Sequence, residues 1–118
     1  MEMRNDAVEM DGLTDYIQNA IRQSERYQTY HRLLDLLKQQ GDLYHQVNRY
    51  RQEYFRMQMS QSDSFLDVNE RLRTEFEGIC NNSLVSDFLL AEAELCKMIR
   101  QINNAVLDAA QIDDAFLE

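Results

Sequence analysis

Apolar residues recur along this chain at helical spacing, and the recurrences divide it into five segments. Leu13, Ile17, Ala20 and Ile21 fall at i, i+4, i+7 and i+8, one stripe of a first helix over about 13–23. Ser24 is suited to cap a second helix reaching about Gln40, with Tyr27, Tyr30, Leu34 and Leu37 stepping by 3 and 4, widened by Leu33 and Leu36. Gly41 then offers a residue tolerant of positive φ, and Asp42 a cap for a third helix over about 43–60. Leu43, Val47, Tyr50, Tyr54 and Met57 give that helix a heptad stripe. The cluster SQSDS over 60–64 breaks the pattern. Beyond it Phe65, Val68, Leu72, Phe76 and Ile79 form a fourth stripe, closed by Asn81 and Asn82.

The fifth segment carries the strongest signal. Leu84, Phe88, Ala91, Leu95, Met98, Ile102, Ala105 and Ala109 step alternately by 4 and 3, a sustained heptad pattern behind a Ser83 cap. A helix over 84–110 is about 40 Å long, whereas a compact chain of this length is about 35 Å across. Its apolar face therefore overruns a lone molecule and calls for cover, most simply a second copy in a closed two-fold dimer. The pattern predicts an all-α fold: about five helices in an elongated bundle with a long C-terminal helix, oligomeric. Residues 1–11 show no periodicity and read as a flexible N-terminus; 12–118 form a single helical domain.

Composition supports this picture. The 118 residues hold no proline and three glycines, too few for the tight turns of a β-rich fold. The net charge of −9 disfavours a phosphate backbone as partner. The densest basic run, Arg49, Arg51 and Arg56, lies on a helix surface and suits a protein contact. Residues 84–118 carry seven carboxylates against Lys97 and Arg100. No apolar run approaches the roughly 18 residues of a membrane span, and the polar start lacks a signal-peptide pattern, so a cytoplasmic location is expected.

Candidate chemistry is sparse. His31 and His45 are the two histidines; neither sits in a metal-binding spacing, so no metal or catalytic residue is assigned. Glycine-rich phosphate loops are absent. Glu92 and Glu94, at i and i+2, point to different faces and read with Asp87 as solvated surface. Cys80 and Cys96 lie sixteen apart and read as free buried thiols. The tyrosines on the stripes read first as core with the hydroxyl at the rim, and second as an aromatic-rich interface.

Two stretches resemble a known family. Residues 17–58 carry Ser24, Tyr27 and Tyr30, an acidic turn at Asp42, the step Val47, Tyr50, Arg51, and Gln58. Residues 82–103 carry Asn82, Val85, Phe88, Leu89, Ala91, Glu92, Leu95, Ile102 and Asn103. Over about 13–110 these positions resemble the YlbF/YmcA family of small bacterial regulators. Ser83 departs from the family, where proline is common; a serine serves a helix start equally well. The resemblance implies an all-helical fold, homo-oligomers, and complexes with related helical regulators. It further implies regulation of competence, sporulation and biofilm formation through a complex that assists an endoribonuclease. Some family complexes carry iron–sulfur clusters, but two isolated cysteines do not supply the four ligands a cluster usually needs, so no cofactor is expected.

The expected function is thus a non-enzymatic cytoplasmic regulatory adaptor acting through helix faces, with a small acidic helical chaperone as the alternative. Self-association is assigned to Phe88, Ala91, Leu95, Met98 and Ile102. Contact with another protein is assigned to Arg49, Arg51 and Arg56. Neither direct nucleic-acid binding nor membrane insertion is expected.

Overall fold

A computed structural model describes residues 3–60 and 65–117, which form six α-helices and no strand. These are α1 (Met3–Gln23), α2 (Glu25–Lys38), α3 (Gly41–Ser60), α4 (Phe65–Glu75), α5 (Glu77–Cys80) and α6 (Ser83–Ala110), followed by a 3-10 turn at Ala115–Leu117. The breaker at 61–64 lies outside the described residues, as do the side chains of Phe65 and Val68.

Helix ends follow local chemistry. Ser24 is extended (φ −68°, ψ 148°), and its hydroxyl accepts the Tyr27 N–H at 3.2 Å while donating to the Ile21 carbonyl at 2.6 Å. One serine thus closes α1 and opens α2. Asn82, rather than Ser83, caps α6: its side-chain oxygen accepts from the N–H groups of Leu84 at 2.9 Å and Val85 at 3.2 Å. Ser83 is already helical, so its hydroxyl is one residue too late.

Gly41 also differs from expectation. No described glycine has positive φ, and Gly41 opens the first turn of α3. The α2 C-cap is instead Gln39 in right-handed backbone (φ −70°, ψ −16°), and the N–H groups of Gln39 and Gln40 reach the Asp35 and Leu37 carbonyls. Asp42 falls inside that first turn, where its charge favours the positive helix end.

The first helix starts ten residues before the apolar pattern does. Residues 9–16 are exposed, Leu13 of the predicted stripe included, and Glu9 and Met10 favour helix by propensity. The fourth stripe is interrupted at Phe76 (φ −108°, ψ 23°), splitting α4 from α5 while Phe76 itself stays buried.

Two apolar clusters hold the helices. In the larger, Leu33 and Leu37 of α2 meet Val47 of α3 and Val85, Phe88 and Ala91 of α6. Leu37, Val47, Val85 and Phe88 are fully buried. Tyr30 stacks on Phe88 while Arg26 reaches Glu94, so α2 and α6 run antiparallel. In the smaller cluster Met57 packs with Leu72 and Phe76, flanked by Tyr50, Ile79 and Cys80.

The result is flat and long, 61 × 41 × 17 Å with a radius of gyration of 19.3 Å, against about 13.5 Å for a compact chain of this length. Helix α6, about 42 Å long at 1.5 Å per residue, continues unbroken through Asn103 and Asn104.

Candidate protein-binding surface

Burial falls off steadily along the heptad seam of α6. Phe88 and Ala91 are buried within the chain's own core, so these two of the five seam residues pack inward. Leu95, Met98 and Ile102 are half-buried. From Asn103 to Leu117 every residue is exposed, among them Ala105, Ala109, Val106 and Leu107. Gln111, left-handed at φ 50° and ψ 45°, ends the helix with its N–H shared by the Leu107 and Asp108 carbonyls. The segment beyond presents Ile112, Phe116 and Leu117, the last two at 79% and 74% exposure. Large apolar side chains left this open make the segment a candidate contact surface.

The three arginines of α3 are placed apart and each has a partner within the chain. Arg51 is held by both carboxylate oxygens of Glu92 on α6, one at 3.4 Å from Nε and the other by Nη2, and by Asn48 Oδ1 at 3.0 Å. Its guanidinium also lies 5.3 Å from the Phe88 ring centre. Such a planar, bidentate contact positions α3 against α6. Glu92 is therefore a structural partner rather than solvated surface, and Glu94 approaches Arg26 at 3.9 Å. Arg49 sits 5.9 Å over Phe76, and Arg56 pairs with Glu53 at 2.8 Å on the exposed face.

Between α3 and α6 runs an open groove of about 860 Å³, walled by Tyr50, Tyr54 and Phe55 and floored by Leu89, Ala93 and Cys96. Phe55 is exposed at 61%, and nearby Met59 at 68%. Both lie off the heptad stripe of α3, which is why periodicity alone passes over them. Met10, Leu13 and Tyr16 of α1 are exposed in the same way.

Two tyrosines titrate away from their ordinary value. Burial beneath the helices raises Tyr30, with the Glu92 carboxylate adding to the rise and Arg51 opposing it. Burial likewise raises Tyr50, aided by Cys80 and Tyr54. Cys80 is half-buried, but Cys96 is exposed, contrary to the expectation for both thiols. It lines the groove between α3 and α6. His31 packs among aromatic rings, 4.2 Å from Tyr27 and 5.1 Å from Tyr30. Among the described residues no three His, Cys, Asp or Glu side chains converge as a metal site, and no helix is long and apolar enough to cross a membrane.

The profile of the family described as control of competence regulator ComK, YlbF/YmcA, matches residues 13–110. No curated protein and no solved structure matches the chain.

Proposed function

Because the chain belongs to the YlbF/YmcA family, described as controlling the competence regulator ComK, we propose that it is a non-enzymatic regulatory adaptor whose helix faces bind other proteins. The observation that carries this reading is the apolar seam of α6, which runs from the chain's own core at Phe88 out to open surface at Ala105 and Ala109. Helix-in-groove contacts use such seams, with flanking charges choosing among partners. The seam from Leu95 onward is the self-association surface, acting in the cytoplasm. The groove walled by Tyr54 and Phe55, with Arg51 and Arg100 among its lining residues, is the surface for a second, folded protein.

Complementation tests the reading. Deleting the gene should alter the regulated output in its host, and wild type should restore it. Phe55→Asp, exposed and outside both cores, should fold normally yet fail to restore output and fail to retain a partner that wild type retains at fixed stoichiometry. Full restoration by Phe55→Asp overturns the groove as the adaptor surface. Retention of many unfolded clients with no fixed partner would instead favour a chaperone.

A further inference from the structure

We propose that two copies of this chain pair through the distal half of α6 in antiparallel fashion, crossing between Asn103 and Asn104. The inference deepens the self-association reading above and rests on it.

The seam itself sets the register. Its positions are Leu95, Met98, Ile102, Ala105 and Ala109, with Ile112 just past the helix end. Antiparallel pairing about the point between 103 and 104 sets Met98 against Ala109 of the second copy and Ile102 against Ala105, with Leu95 level with the turn that follows Gln111. Each of the two inner layers then joins one large side chain to one alanine, which lets helices approach closely without a void. Parallel pairing stacks alanine on alanine at 105 and 109 and leaves those layers underfilled.

Charge points the same way. A two-fold crossing brings each residue near its own copy, so any charge there meets its like. Residues 101–107, QINNAVL, carry none, although the protein as a whole carries −9. The helical overlap from Met98 to Ala109 spans about 17 Å, and everything from Asn103 onward is exposed. The half of α6 from Asn103 onward is thus open to a second copy, while Met98 and Ile102 keep only part of their surface free for it.

Spin-label distances in the full chain test the register. Cys96 and Asn103 are both exposed and lie seven residues apart, so they share one heptad position and one lateral displacement from the seam. One sample carries the label on Cys96 in a Cys80→Ser chain. The other carries it at Asn103→Cys in a Cys80→Ser/Cys96→Ser chain. Crossing between 103 and 104 offsets the two Cys96 labels by about 22 Å along the axis and the two 103 labels by about 1.5 Å. The inter-chain distance should therefore be clearly longer at 96 than at 103. Equal distances mean a parallel pair, and a longer distance at 103 means a crossing elsewhere; either overturns the inference while leaving self-association intact. A labelled chain without inter-chain coupling and with a monomer's mass overturns the self-association reading as well.

Discussion

The residue on which the helix junction turns is Tyr30, because it touches all three chemistries there. Its ring stacks on Phe88 at 5.3 Å, and its hydroxyl shares an environment with Arg51 and Glu92. Burial raises its titration above the ordinary 10.0, so the folded chain resists forming the phenolate. The stability tied to this group is fully present below about pH 10 and is lost as pH rises through the raised value, since the unfolded chain releases the proton first. Tyr30→Phe keeps the stacked ring and removes the titration. Urea midpoints at about pH 9 and about pH 11 should therefore differ less for Tyr30→Phe than for wild type, with the remaining drop carried by Tyr50 and other alkaline groups. An equal drop in both chains would show that Tyr30 ionises freely in the fold. The contact partners of this tyrosine are not visible in the sequence. Arg51 and Glu92 lie 41 positions apart on different helices, and heptad spacing states which face a residue occupies but not which helix meets it.

At the scale of the elements, the apolar stripes placed five helical segments and the structure follows them closely from residue 13 onward. Ser24 was recognisable as a cap because a serine stood alone between two stripes, and it makes that bond. The misreadings cluster where two residues compete for one role. Asn82 and Ser83 both suit a helix start, and the extended backbone falls on the first. Gly41 suggested a left-handed cap, but Gln39 in right-handed backbone closes α2 before it. Gly41 thus gains nothing from lacking a side chain, and a Cβ built there meets no atom within 4 Å. Gly41→Ala should stabilise the protein by about 0.4–1 kcal/mol through a less flexible unfolded chain. Chemical denaturation measures it; a lowered midpoint with unchanged slope would mean that the turn needs glycine after all. The surface was less legible than the helices. The seam residues Leu95, Met98 and Ile102 were marked by spacing, yet spacing gave Phe88 and Ala91 the same rank, and only the packing of α2 separates core from surface.

At the scale of the whole molecule, the dimension that matters is the 61 Å length against the 17 Å thickness. So thin a slab encloses little: its core is nine buried apolar residues among those described, while a comparable set of large apolar residues remains exposed. If antiparallel pairing of α6 covers part of that surface, position on the seam should matter more than greasiness. Ala105 and Leu107 separate the two. Both are exposed, and Leu107 is the larger and more apolar, but two residues along a helix turn it by about 200°, away from the seam. Ala105→Glu sets a carboxylate in the layer against Ile102 of the second copy, where it has no cationic partner. Burying an unpaired charge is costly, so the dimer should weaken at least tenfold, which needs only about 1.4 kcal/mol. The chain's own fold has no stake in Ala105, so the helical signal of the dissociated protein should persist. Leu107→Glu should leave association nearly unchanged. Sedimentation at matched concentrations reads both, with wild type near twice the 14.0 kDa chain and Ala105→Glu shifted towards it. Were Leu107→Glu the more disruptive of the two, association would be following generic exposed hydrophobicity, and the heptad seam would lose its claim as the dimer contact.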